Sequence, residues 1–280
     1  MNNIFGINVT NNKDNTDYDG DIFIRRRVSE ETVKQLDAAF NANQQLQKKA
    51  SIPTWLEIIK LIFMFLAIII TLGILKSDVS LRQGFENAWY LYITGIISLI
   101  GFIGLSIYGR RKEKKVIESE ELTENIRSSN EIAATAMQEL KFPLEPQSID
   151  VIADKYKIKN DEKKQINFNT YFANVNLDLY VFIEDGNLCL ADLYKVYEIP
   201  LCSITSMELS KKKASLPFWN KEEDYNSDKY KQFKVVLNSQ GTYFTKYYKV
   251  NIRDTSGDFV LLIPNYDQPL FSELTGVNPE

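Results

Sequence analysis

Trp55–Leu75 (WLEIIKLIFMFLAIIITLGIL) and Ala88–Tyr108 (AWYLYITGIISLIGFIGLSIY) are two apolar runs separated only by Lys76–Asn87 (KSDVSLRQGFEN). Each is long enough, at about 1.5 Å rise per residue, to cross the roughly 30 Å hydrocarbon core of a bilayer as a helix. The pair reads as a transmembrane hairpin over residues 53–108, with spans 55–75 and 88–108. Glu57 and Lys60 are the only charges inside either run. Three residues apart in the first two helical turns, they are placed to pair at the headgroup level. The midplane is left without an ionisable group, which argues against an ion or proton pathway.

The flanks set an orientation. Lys48 and Lys49 precede the first span with no acid between Phe40 and Thr54, and Gly109–Lys115 (GRRKEKK) follows the second with five basic residues. The connecting loop 76–87 holds only Lys76 and Arg82, offset by Asp78 and Glu86. By the positive-inside rule both termini are expected in the cytoplasm and the loop outside, in a multi-pass plasma-membrane protein. Trp55, Trp89, Tyr90, Tyr92 and Tyr108 stand near the span ends, where interfacial aromatic anchors belong. The first fifty residues contain no apolar segment of the signal-peptide kind, so the first span is expected to act as its own insertion signal.

The rest of the chain is ordinary globular material. Of 280 residues, 44% are apolar and 25% charged, with a formal charge of −4. Histidine is absent. That excludes a Ser–His–Asp triad, a Cys–His dyad, a His-ligated zinc site and a histidine pH switch. Cys189 and Cys202 have no metal-ligand spacing and fall in the part assigned to a reducing compartment, so they read as small apolar side chains in strands. No dinucleotide-binding, Walker-type or nucleophile-elbow motif occurs. The 37 acids show no spacing that separates a catalytic pair from surface charge. No catalytic, cofactor-binding or metal-ligating residue is therefore proposed from sequence.

Residues 1–50 form a cytoplasmic N-terminal segment. Its first 28 residues are rich in Asn and Asp and expected to be extended or disordered in part. Ser29 as N-cap, Glu30 and Glu31 in the first turn, and Val33, Leu36 and Phe40 at helical spacing predict a short amphipathic helix over 29–48. Residues 109–145 predict a charged stalk helix, ended by Phe142-Pro143-Leu144-Glu145-Pro146. From about Ile149 the apolar period changes to two. Strands are predicted at 150–159, 177–184, 188–192, 195–201, 204–210, 231–237, 242–253 and 259–263, with Asp185-Gly186 as a hairpin turn and a helix over 269–275.

A meander of strands, a hairpin tipped by Asp-Gly, then Glu198–Leu209 (EIPLCSITSMEL) introducing more strands and a closing helix resembles the bacterial pleckstrin-homology-like domains. With the N-terminal hairpin and the Pro217–Glu223 segment (PFWNKEE), the whole chain also resembles two-pass membrane proteins of Gram-positive bacteria. The domain resemblance covers Ile149 to the end. It implies a fold and a habit of ligand or membrane contact, with no catalytic residues to carry over. The expected class is thus an α+β membrane protein: a two-helix transmembrane hairpin plus a cytoplasmic PH-like antiparallel β-barrel or sheet (146–280), capped by a C-terminal helix.

Four stretches are candidates for contact. Lys211, Lys212, Lys213, Phe218, Trp219 and Lys221 combine charge with aromatics suited to a membrane interface or a partner; the plainer reading packs the aromatics over one end of the barrel. Arg25–Arg27 is either a lipid contact or a local ion-pair site. Asn15, Asp17, Asp19 and Gly20 imitate the start of an EF-hand loop, but position twelve is Arg26 where a bidentate Glu belongs, so a solvated turn is the better account. Thr94, Ser98 and Gly101 on the second span, with Ala67 and Thr71 on the first, allow close helix approach, either within the hairpin or in a homodimer. The acidic pI of 5.2 and the membrane tether argue against a nucleic-acid platform. The function expected is a membrane-anchored, non-enzymatic scaffold or sensor, whose β domain binds a protein partner or the inner-leaflet lipid surface. The alternatives are a membrane-bound enzyme using carboxylate or lysine chemistry and an oligomeric pore.

Overall fold

The computed structural model describes residues 2–8, 19–76, 81–159, 162–165, 174–217, 227–239 and 241–280. The chain divides into two compact units, residues 30–134 and residues 1–29 with 135–280.

The first unit is helical. It contains α1 (Glu30–Ala50), α2 (Thr54–Lys76), α3 (Leu81–Ile117) and the start of α4 (Glu120–Glu139). Glu30 and Glu31 in the first turn of α1 and Lys48 and Lys49 in its last complement the helix dipole. Ala88 departs from helical dihedrals (φ −144°, ψ 40°), so α3 bends where its apolar run begins. α2 and the apolar part of α3 are both long and apolar enough to cross a membrane. α2, described throughout, buries none of its residues, unlike the core helix of a water-soluble domain.

Small residues bring these two helices together. A Cβ on Gly101 would lie 2.7 Å from the Phe63 ring, and one on Gly95 would lie 3.0 Å from Ile70, so both glycines mark close approach between α3 and α2. Ser98 is buried between them in sequence. Thr94 and Thr71 instead donate to carbonyls four residues back on their own helices. Of the small-residue stripe, Gly101 is thus used for packing within the hairpin, and so is Gly95, which that stripe did not include.

The second unit is a curled mixed sheet, a half-barrel. Its strands are β1 (Asn2–Asn3), β2 (Gly6–Asn8), β3 (Ile24–Arg27), β4 (Gln147–Lys159), β5 (Glu162–Gln165), β6 (Asn174–Glu184), β7 (Asn187–Ala191), β8 (Lys195–Pro200), β9 (Ile204–Leu216), β10 (Val236–Leu237), β11 (Tyr243–Asp254) and β12 (Gly257–Pro264). Two short helices, α5 (Asp228–Gln232) and α6 (Gln268–Thr275), complete it. β4, β6, β7 and β8 form one antiparallel meander, with β3 on β8, and β9, β11 and β12 form another. The Asp185-Gly186 turn has positive φ at both residues (49° and 77°), as a two-residue type I′ hairpin demands.

The sheet departs from the expected antiparallel order at the N-terminus. β1 runs parallel to β12 and β2 parallel to β4, so this segment stitches the two meanders together. The Ile4 N–H donates to the Val260 carbonyl at 2.9 Å, and the Asp154 N–H to the Phe5 carbonyl at 3.2 Å. Ile4 and Phe5 are fully buried in the main core with Ile149, Tyr197, Leu261 and Phe271. Gly6 is required here because a Cβ would lie 2.6 Å from the Tyr156 ring. The extended conformation expected for part of residues 1–28 is found in β1 and β2, and burial of Ile4 and Phe5 between them explains why these strands are held in the sheet. The strand predicted at 231–237 is mostly α5 and a turn, because Tyr230 and Val235 turn inward to a second cluster with Tyr243 and Tyr266.

Candidate functional site

The lysines singled out by sequence lie on an irregularity of β9. In register, Leu209 faces Tyr248 and Lys213 faces Lys246. Ser210, Lys211 and Lys212 therefore oppose Tyr247 alone, which makes a β-bulge. A regular strand sends alternate side chains to opposite faces, so it would turn one of three consecutive lysines inward. Here Lys211, Lys212 and Lys213 are all exposed. The Ser210 hydroxyl accepts the Lys212 N–H at 3.2 Å, a local bond that holds the bulge in place of a ladder bond. Lys246, exposed on β11, adds a fourth ammonium directly across from Lys213. Leu209, 43% exposed, gives the basic patch an apolar neighbour. Opposing like charges across strands is unfavourable, a cost that regular folding does not require. Phe218, Trp219 and Lys221 lie outside the described residues, and so do Asn15 and Asp17 of the acidic loop.

Arg26 makes several polar contacts at once. From β3 its Nε donates to Glu198 Oε1 at 3.0 Å, one Nη to the Leu140 carbonyl at 2.8 Å, and the other to Glu184. Its guanidinium lies 5.9 Å from the centre of the Phe182 ring. This fork fits Arg and not Lys, because the donors are fixed in one plane and point to several acceptors at once. Arg26 is thus ion-paired, as one of the two sequence readings of the triple arginine has it, but its partners lie 158 and 172 residues away and are not local. A small hollow of about 170 Å³ beside it is lined by Lys141, Glu184, Asp185, Asn187 and Glu198. The buried Cys189 thiol is pushed up to about 11 by burial, partly countered by Arg26.

A third cluster is buried. The Tyr266 hydroxyl donates to Asp150 Oδ2 at 2.6 Å, and the Asp150 N–H donates to Asp267 Oδ2 at 2.8 Å. Burial, and then the Asp150 charge, raise the Tyr266 phenol well above its ordinary range. Asp267 thereby ties the start of α6 to β4. Sequence reasoning missed Asp150, Asp267 and the acidic partners of Arg26, because partners 117 and 172 residues away leave no local pattern. Among the described residues no group of three or more His, Cys, Asp or Glu side chains is placed to hold a metal ion.

Compared with protein-family models, with curated proteins and with solved structures, the chain matches none.

Proposed function

We propose that the protein is a membrane-anchored, non-catalytic module whose β unit engages the anionic inner-leaflet surface through Lys211, Lys212, Lys213 and Lys246. The observation that carries this reading is the bulge, which exposes three consecutive lysines that a regular strand would split between two faces. Each such residue near an anionic leaflet contributes about 1 kcal/mol, and covalent tethering raises the local concentration so that weak contacts suffice. The hairpin α2–α3 is the anchor, with both termini cytoplasmic and loop 76–87 outside. Support for this topology comes from the basic flanks, and support for the anchor from an apolar surface that the described residues of the chain leave uncovered.

We read the β unit as pleckstrin-homology-like. A four-strand meander, a three-strand meander and a C-terminal helix in that order support this, and β1–β3 are additions to it. An enzyme has less support, since Asp150, Tyr266 and Asp267 bond to one another in the packed core and are not aimed into a cleft.

Hydrogen exchange of the full chain in nanodiscs tests the reading. Backbone exchange in β9 should slow in nanodiscs containing phosphatidylglycerol relative to purely zwitterionic ones, and high salt should remove the difference. Replacing all four lysines by Gln should abolish it. Equal exchange in both lipid compositions would overturn the lipid reading and leave a protein partner as the occupant of the patch.

A further inference from the structure

Within the helical unit, a cavity of about 620 Å³ lies where the α1–α2 turn packs on the far part of α3. That volume falls in the range of about 300–1,000 Å³ usual for small-molecule sites. Two contacts build its wall. Lys112 Nζ donates to the Ser51 carbonyl at 2.6 Å, and the buried Ile52 packs at Gly109.

Its lining has an unusual charge pattern. Glu57 and Lys60 come from α2, and Arg110 and Glu113 from α3, with Ile52 and Phe102 as apolar neighbours. Sequence spacing predicts that Glu57 pairs with Lys60. In the structure no side-chain hydrogen bond or ion pair joins any of these four to another described residue. Two cations and two anions therefore line one cavity at the end of an apolar hairpin, each with its charge available to a guest.

We propose that this cavity binds the headgroup of a phospholipid carrying both a phosphate and a primary ammonium, as in phosphatidylethanolamine. Lys60 and Arg110 take the phosphate oxygens, and Arg110 can do so through two parallel N–H donors. Glu57 and Glu113 accept the ammonium N–H groups. Phe102 and the exposed apolar surfaces of α2 and α3 receive the glycerol and acyl chains. A phosphatidylcholine headgroup has the same charges but no ammonium N–H to donate, and phosphatidylglycerol has no cation. The four residues thus discriminate by hydrogen bonding as well as by charge. The inference rests on insertion of the hairpin in a bilayer, but not on the lysine patch of the β unit.

Native mass spectrometry of the full chain, released from nanodiscs of mixed lipid, is the test. Wild type should retain phosphatidylethanolamine about tenfold more than phosphatidylcholine, the gap that a pair of charge-assisted hydrogen bonds supplies. Lys60→Gln with Arg110→Gln should lower retention of every phospholipid. Glu57→Gln with Glu113→Gln should keep phosphate binding and shift the preference to phosphatidylglycerol. Equal retention of all three lipids by wild type, or a carboxylate variant that still prefers phosphatidylethanolamine, would overturn the proposal. Alkaline carbonate washing of liposomes of the same lipid mixture carrying the full chain separates the two readings. Protein released into the wash would defeat the anchor itself, whereas protein that stays in the membrane without a selected lipid would defeat only the headgroup site.

Discussion

The helical unit and the β unit bury apolar side chains in opposite ways. α2 buries none of its residues, while Ile58, Phe65, Ile69, Leu72 and Leu75 are exposed along it. The β unit buries Ile4, Phe5, Ile149, Leu188, Leu190, Tyr197, Leu261 and Phe271 completely. At roughly 25 cal/mol per Å² of apolar surface removed from water, the β unit has an internal source of stability. The described residues of α2 bury no side chain in this way, which is what a helix facing an apolar solvent would show. The hairpin's internal order comes from close packing at Gly95 and Gly101. One unit is built around its own core, while the other leaves most of its apolar side chains uncovered.

The largest effect that tests this contrast is Phe5→Ala. Phe5 is fully buried and sits edge-on to Tyr197 with ring centres 5.2 Å apart. Its truncation should destabilise the β unit by about 3–5 kcal/mol. Near-UV circular dichroism under denaturant should show the loss, with the helical signal in detergent unchanged. A shift smaller than 1 kcal/mol would show that the N-terminal segment is not part of the core.

The helical counterpart is Gly101→Leu, which should cost about 1–3 kcal/mol because the Phe63 ring occupies the space. Gly104→Leu is the matched control, since nothing lies within 4 Å of its position. Titration of the helical signal with SDS in bicelles would measure both. Equal costs would mean that hairpin packing is not set by that glycine.

The smallest effect concerns alkaline pH. Burial raises the Cys189 thiol from 9.0 to about 11. Between those values the folded state holds a proton that the unfolded state has released. The contribution is therefore fully present below about pH 9 and is lost as pH rises through 11. Cys189→Ala should flatten this part of the stability profile of the β unit, while the exposed Cys202 should react first with iodoacetamide at pH 8. If both thiols alkylate at the same rate, Cys189 is not shielded.

Much of this architecture is legible along the chain because it is periodic. The two apolar runs, the Asp185-Gly186 turn and the alternation in Leu177–Glu184 each announce a local structure. Helix α6 and strands β6, β7 and β12 lie within a few residues of where that reading puts them. The N-terminal strands were less visible. Ile4-Phe5 and Ile7 are a short apolar cluster in an Asn-rich stretch, and such a cluster is the only local hint of a strand. The lysine triplet was legible as charge, but its shared exposure was not, since that depends on how β9 registers against β11.

By itself the amino-acid sequence determined the two long apolar helices, the change of period that starts the β unit, and the exclusion of all histidine chemistry. These follow from properties carried by neighbours in the chain: hydrophobic run length, periodicity and composition. Only the tertiary structure decided that the N-terminus closes the curled sheet, that Arg26 binds Glu184 and Glu198, and that Glu57, Lys60, Arg110 and Glu113 line one cavity. Each joins residues far apart in the chain. Their proximity is set by the packing of whole elements, which no local pattern encodes.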